Sequence, residues 1–362
     1  MAEIRSSHPY HMHDAIAGQP ALVERMLESR CNEIQRAAEA AAAKKRIIFA
    51  GIGTSLHAAQ VAEHFLRHLT GGQAEARAEQ PFELLNYPLA LSANDAVVVI
   101  THTGTTSYNI ELLRSARAAG ALTIAVVGEA SGEGTSAAEI LIQTCEQEVC
   151  FAYTKSYATA LAALAQFAVA VAKRRGAPMD AAANQLKQLP AAMKRALDSE
   201  KKIREVAKAA KGRDRVVLFG AGPNWATALE GALKIKETSY LAAEGSENEQ
   251  VLHGPFSEID SRTLLVALLA GGKVDERART VLRSAGEVKA LRIAIAVPSA
   301  NREIAAEYVV ETPEVEEWLS PLVLLEPVQL LTYYLALERG INPDTGRQDQ
   351  APHAKAHTLY KL

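Results

Sequence analysis

Arg46-Ile47-Ile48-Phe49-Ala50 runs directly into Gly51-Ile52-Gly53-Thr54-Ser55, and a helical pattern follows from about Leu56 to Leu69. A short apolar run closed by glycine is of the buried-strand type, so the stretch is a strand–turn–helix unit. Working outward, the unit recurs. Residues 96–100 form a second strand, closed by Thr101-His102-Thr103-Gly104-Thr105-Thr106 and a helix through about Ala119, and Leu122–Val127 is a third. The pattern restarts with a strand at 215–219, the turn Gly220-Ala221-Gly222-Pro223-Asn224 and a helix from Trp225 to about Tyr240. Strands at 263–268 and 291–297 continue it. Gly51 and Gly220 thus open equivalent turns about 170 residues apart, an internal duplication. Strands alternating with helices at this spacing predict an α/β fold with parallel sheets covered on both faces.

The other segments organise around these halves. Residues 19–43 read as one amphipathic helix behind an extended arm, 157–174 as an alanine-rich helix, and 179–212 as a helical link. Residues 342–362 contain Pro343, Gly346 and Pro352 and read as a tail without its own core. The expected division is an arm and helix (1–44), a first domain (45–195), a second (196–341) and a tail closing the active site (342–362).

Composition narrows the class. A chain of 362 residues is long enough for two cores. Hydrophobic content of 48% with 22% charged residues is that of a globular protein. The formal net charge of −3 leaves no basic footprint for nucleic acid. Cys31, Cys145 and Cys150 make no CxxC pair, which fits a reducing compartment better than a secreted disulfide scaffold. Residues 1–20 carry His, Asp and Glu where a signal peptide needs an apolar core. The apolar runs at 96–100 and 264–270 are strand-sized, far short of the roughly 20 residues that span a bilayer. A soluble cytoplasmic protein without membrane or nucleic-acid partner is expected.

Two places carry candidate chemistry. Thr101, Thr103, Thr105 and Thr106 crowd hydroxyls into a turn between a strand and a helix, and Thr54 and Ser55 end the matching strand. Such a turn either caps its helix or, with the unpaired N–H groups of the helix N-terminus, holds an anion such as phosphate. Gly51-Ile52-Gly53 lacks the third glycine of a dinucleotide fingerprint, and no P-loop is present. In the second half Glu230, Lys234 and Glu237 share one helix face. They are either a surface ion pair worth a few tenths of a kcal/mol or, beside a pocket, a proton-transfer pair. His253, held before Gly254-Pro255, is either an acid/base group or a loop histidine without a task. His8, His11 and His13 are read as part of a mobile arm, and His64 and His68 as a solvated helix face. No metal site or cofactor is expected.

The run Ala228-Leu229-Glu230-Gly231-Ala232-Leu233-Lys234-Ile235-Lys236-Glu237-Thr238-Ser239-Tyr240, then Glu244 and His253-Gly254-Pro255, is specific. It resembles the isomerase half of glucosamine-6-phosphate synthase and its stand-alone double-SIS relatives, the amino-sugar-phosphate deaminases and fructosamine-phosphate deglycases. The resemblance runs from about Tyr10 to the C-terminus. It takes in Glu148, Thr154 and Lys155, similar to the segment closing the sugar site, and residues 313–317 and 327–331. It implies two tandem SIS domains, each a three-layer, flavodoxin-like parallel sheet. Thr101, Thr103 and Thr106 would grip a sugar phosphate, with Gly53, Thr54 and Ser55 as the partner loop and His102 where the synthases usually have Gln. Glu237 matches the base that moves a proton between C1 and C2, and Lys234 the lysine beside it. His253 matches the histidine that opens the ring, donated across a homodimer. Lys355 resembles the tail lysine that approaches the open-chain carbonyl.

Departures are also plain. No glutaminase domain precedes the region, so ammonia transfer from glutamine is not expected. Gln250 stands where the family has Glu before the histidine, and about four extra residues separate Arg347 from Lys355. The expected function is isomerisation of a phosphorylated hexose, an amino sugar or fructosamine, with or without deamination or deglycation. Isomerisation of a sugar bearing another anion such as a sulfonate, and a non-catalytic sugar-phosphate sensor, are the alternatives.

Overall fold

The computed structural model describes residues 5–300 and 303–360. The first four residues of the expected arm and the last two of the expected tail lie outside them. The chain forms two compact units, and each is described by itself. One comprises Gln19–Glu148 and Lys155–Pro190; the other comprises the N-terminal segment through Gly18, Val149–Thr154 and Ala191–Tyr360.

The first unit is built on β1 (Arg46–Ala50), β2 (Glu75–Glu79), β3 (Asp95–Thr101), β4 (Leu122–Val127) and β5 (Ile140–Gln143). All pair in parallel in the order β2-β1-β3-β4-β5. Side chains alternate across the sheet. Ile48, Val97, Val99 and Ala125 meet Leu84 of α5 (Pro81–Asn86) and Leu112, Leu113 and Ala116 of α6 (Ser107–Ala118) on one face. Phe49 points the other way, and its ring meets Phe167 of α7 (Lys155–Arg174) edge-on at 6.2 Å. Around α7 lie α2 (Gln19–Ser29), α3 (Cys31–Ala42) and α4 (Thr54–Leu69). The single helix expected over 19–43 is therefore two helices, broken at Arg30, whose backbone leaves the helical region at ψ 13°.

The second unit repeats the plan. Here β6 (Arg215–Gly220), β7 (Ala242–Glu247), β8 (Thr263–Leu269), β9 (Leu291–Ala296) and β10 (Tyr308–Glu311) pair in parallel as β10-β9-β8-β6-β7. Read from the other edge this is the same 2-1-3-4-5 order, the flavodoxin-like winding. The duplication reaches the turns. Gly53 (φ 58°, ψ −127°) and Gly222 (φ 56°, ψ −130°) precede α4 and α10 (Pro223–Thr238) with nearly the same dihedrals, which a side chain would strain. A methyl group on Gly51 would strike Ser55, and one on Gly220 would strike Asn224, four residues on in each case.

The sheet of the second unit is flanked by α9 (Glu200–Ala209), α10, α11 (Asp275–Glu287) and α12 (Ser320–Glu338). The chain passes between the units within α8 (Asp180–Ala196), and α13 (Ala351–His357) lies in the tail. Helix α7 and residues 317–338 are long and apolar enough to cross a membrane, which the short apolar runs of the sequence did not predict, but both are core helices, at least 89% buried.

From Arg5 on, the segment expected to be a mobile arm is tied down by hydrogen bonds. α1 (His11–Ala17) buries Met12 and Ile16. Its first N–H groups, those of His11 and Met12, donate to the Asp344 carboxylate of the tail at 2.9 Å, an anion at a helix N-terminus. The Asn342 amide donates to the Arg5 carbonyl, and the Phe151 N–H to the Asp344 carbonyl. His8 Nδ1 lies 2.7 Å from the Tyr333 hydroxyl, and His13 Nε2 lies 2.8 Å from Glu200. These bonds order a tail that has no core of its own.

Glu326 is an inconsistency inside α12. It is wholly buried, and among the described residues neither carboxyl oxygen has a hydrogen-bond partner. Burial pushes its pKa well above the ordinary carboxylate range. The native state therefore keeps a proton that the unfolded chain releases, so stability falls as pH rises from the usual glutamate range towards the raised value. Glu326→Leu is expected to stabilise the fold by about 1–3 kcal/mol, the cost of a buried unpaired polar group. The gain should be smallest in acid and grow with pH. Denaturant unfolding across a pH series checks it, and a pH-independent change would show that Glu326 is not the titrating group.

Candidate active site

The hydroxyl turn sits where β3 ends and α6 begins. Thr101 is buried at the strand end, and its hydroxyl has no partner among the described residues. Thr103 Oγ1 accepts from the Thr105 N–H at 3.3 Å and the Thr105 hydroxyl at 2.9 Å. Thr106 occupies the N-cap position of α6, yet its side chain makes no capping hydrogen bond. The Thr106 side chain therefore does not cap α6, and the capping alternative fails at this residue. Gly104 (φ 67°) lets the loop pass against Thr135, and the Thr103 carbonyl accepts from the Gly132 N–H. Thr54 and Ser55 open α4 after Gly53, at the carboxyl end of the adjacent β1.

His102 and Glu148 come together in the same unit. His102 Nε2 accepts from the Glu148 N–H at 3.3 Å, which requires a ring without a proton on that nitrogen. Burial lowers the His102 pKa and keeps the ring neutral. The Glu148 carboxylate accepts the N–H groups of Lys155 and Ser156, each at 3.1 Å, at the start of α7. Both residues thus help to shape the loop around the hydroxyl turn. His64, expected on a solvated face, is half-buried with its pKa lowered by burial, whereas His68 is exposed.

In the other unit, α10 carries Glu230, Lys234 and Glu237 on one face. Lys234 Nζ lies 2.5 Å from Glu237 Oε2 and 3.6 Å from Glu230 Oε1. The side chains of Lys234 and Glu230 are 1% and 0% exposed, and that of Glu237 22%. This is no surface ion pair: the ammonium is inside, and only Glu237 reaches outward. Glu237 does so into a cavity of about 410 Å³, lined also by Phe151, Lys236, Tyr240, Gly346 and Arg347. A carboxylate at a cavity wall, oriented by a buried ammonium, is equipped to take and return a proton.

Thr154 is buried in this unit, its carbonyl 3.5 Å from the Gln329 amide. His253 lies elsewhere on the surface, 65% exposed, with Nε2 2.9 Å from Glu249. Glu249 also takes Arg277, and these partners hold its carboxyl at about 2, Arg277 contributing most. The carboxylate missing at Gln250 is thus supplied one residue earlier. Lys355 is exposed on α13, and the tail residues that line the cavity are Gly346 and Arg347.

Two parallel 2-1-3-4-5 units, each with a strand–glycine–helix turn, define the class. Residues 41–170 and 210–339 each match the SIS domain, so the chain belongs to the SIS-domain family. The glutamine–fructose-6-phosphate aminotransferase [isomerizing] of Thermococcus kodakarensis is 31% identical over 354 residues, covering 96% of this chain. The chain spans only 58% of the length of that relative. The C-terminal domain of glucosamine-fructose-6-phosphate aminotransferase from Francisella tularensis superposes with a TM-score of 0.87 at 22% identity, covering 93% of this chain and 99% of that one. Glucosamine-6-phosphate deaminase from Thermotoga maritima gives 0.77 at 19% identity, with 92% and 97% covered. At these identities the two structures bear on the fold.

Sequence reasoning missed Phe151, Tyr240 and Arg347 as cavity residues. Tyr240 and Arg347 both have positive φ, 58° and 63°, and nothing in their residue types announces that conformation.

Proposed function

We propose that the chain is a phosphosugar isomerase-type enzyme acting on a phosphorylated hexose, an amino sugar or a fructosamine. The observation that carries it is the buried Lys234 holding Glu237 at the wall of a cavity. Glu237 moves a proton between C1 and C2 of the open-chain sugar through an enediol, or an enolamine where nitrogen is attached. Lys234 stabilises the negative charge that develops. With nitrogen on C1 or C2, the proton shift leaves an imine at that carbon. Water then hydrolyses the imine to a carbonyl and releases the amine or ammonia.

The hydroxyls of Thr101, Thr103 and Thr106, with Gly53, Thr54 and Ser55, bind the phosphate. His102, Glu148 and Thr154 support the sugar side, and Lys355 approaches the carbonyl. The relatives' names support the substrate class, since each names a hexose or hexosamine 6-phosphate. A cytoplasmic setting suits a chain whose cysteines are all free.

The test is incubation with aldose, ketose, amino-sugar and fructosamine 6-phosphates, read by mass spectrometry for isomer and released nitrogen. A panel without any conversion would sink the proposal. His253 is proposed to open the ring from the second subunit of a homodimer, which its exposure permits. Inactive Glu237→Gln and His253→Ala variants, mixed after subunit exchange, are then expected to regain turnover, because one site of each mixed dimer is intact. No recovery in demonstrably mixed dimers would place His253 in its own subunit's chemistry.

A further inference from the structure

Part of the wall of the cavity beside Glu237 is chain without regular structure. Phe151 comes from residues 149–154, Gly346 and Arg347 come from residues 342–350, and neither stretch forms a helix or strand. Loops of this kind open at little cost unless something holds them. Arg347 clasps Tyr240 just past α10, its guanidinium 4.1 Å from the ring centroid and its backbone N–H donating to the Tyr240 hydroxyl at 2.8 Å. Gly346 fits so closely that a methyl group there would lie 2.3 Å from the Phe151 ring. A shift of one loop therefore displaces the other.

Asp344 fastens the two loops to each other and to the N-terminal arm. Its carbonyl accepts the Phe151 N–H at 3.1 Å, and its own N–H donates to Asn342 Oδ1 at 2.9 Å. Each oxygen of its carboxylate takes one N–H of the first turn of α1, from His11 and from Met12, both at 2.9 Å. Such N–H groups have no partner inside their own helix, so the carboxylate satisfies them as a capping side chain does. The anchor is firm, because Met12 and Ile16 of α1 are fully buried in the core cluster that also holds Cys150 and Ala152. Phe151, between those two, is left to face the cavity.

We propose that Asp344 is a positioning residue, which fixes the Phe151 and Arg347 wall of the cavity by hanging both loops on helix α1. This rests on the proposed chemistry at Glu237 and gives the arm a part in it: residues that touch no substrate set how tightly the cavity holds one. Glu237 takes its orientation from Lys234 within α10 and needs nothing from the arm. Losing the link therefore weakens binding and spares the proton transfer.

His11→Pro tests the link from the side of the arm. His11 is the first residue of α1, where proline is tolerated, and Tyr10 before it is already extended at ψ 166°. The substitution takes one N–H from Asp344 and nothing from the cavity, whereas His11→Ala loses the same side chain and keeps the N–H. On whichever sugar phosphate the wild type converts, KM of His11→Pro is expected to exceed that of His11→Ala by about 3–30-fold, the range of one capping interaction. The kcat values of the two should agree within about threefold. Asp344→Ala should raise KM at least as far, and Asp344→Asn, which still offers one oxygen, should recover part of the loss. Equal KM in the two His11 variants, or a fall in kcat with KM unchanged, overturns the inference. Should His11→Pro fail to fold, the two Asp344 variants decide by the same split. Amide hydrogen exchange gives a readout that needs no turnover: residues 149–154 and 342–350 should lose protection in His11→Pro and not in His11→Ala. If no sugar phosphate reacts at all, the isomerase reading fails by itself. That exchange difference then upholds the role of Asp344, and its absence overturns it.

Discussion

Glu237→Gln is expected to lower kcat by about 10²–10⁴-fold on whichever sugar phosphate the wild type converts, the usual contribution of a positioned acid/base group. The change is nearly isosteric. Gln still offers an oxygen to Lys234 Nζ, and Lys234 keeps Glu230 at 3.6 Å. Folding and substrate affinity should therefore stay close to wild type, by melting temperature and by calorimetric titration. What disappears is the ability to hold a proton between removal from one carbon and delivery to the next. Exchange of the C1 or C2 hydrogen with deuterated solvent should vanish along with net conversion. Near-wild-type turnover in a folded variant would overturn the assignment of the base.

The contrast between burial and spacing explains what could be read from the sequence. The six strands expected from apolar runs all appear, β1, β3, β4, β6, β8 and β9, because central strands of a parallel sheet are covered on both faces. The four that gave no such signal, β2, β5, β7 and β10, are the four sheet edges. Their burial is patchy, as in Glu75-Ala76-Arg77-Ala78-Glu79 of β2 and Ala242-Ala243-Glu244-Gly245-Ser246-Glu247 of β7. The site divides in the same way. Helical periodicity puts Glu230, Lys234 and Glu237 on one face, but whether that face is wet or dry depends on packing between distant segments. The clasp of Tyr240 and Arg347 depends on two backbone conformations that side-chain type does not encode. Gln250 marked a missing carboxylate, and only the fold shows Glu249 in its place.

Lys234→Met is the change expected to cost the fold most. Were the pair on the surface, losing the ammonium would cost about 0.2–1 kcal/mol. The observed burial, 1% exposure for Lys234 and none for Glu230, moves the estimate to about 3–5 kcal/mol, the cost of removing one member of a buried ionic group. Methionine fills much of the space, so the loss is one of charge and not of volume. Denaturant unfolding gives the magnitude, and a second substitution tests its origin. Glu230→Gln placed on Lys234→Met should recover part of the loss, because one carboxylate fewer then depends on the missing ammonium. A double-mutant cycle reads that coupling directly. A loss below about 1 kcal/mol, or a cycle without coupling, would mean that water reaches the pair after all. Turnover should fall too, measured well below the variant's unfolding midpoint, since Glu237 loses the group that orients it. The two substitutions then separate the roles on one helix face. Glu237→Gln removes chemistry and spares stability, whereas Lys234→Met removes both, as a charge that serves the cavity on one side and the core on the other must.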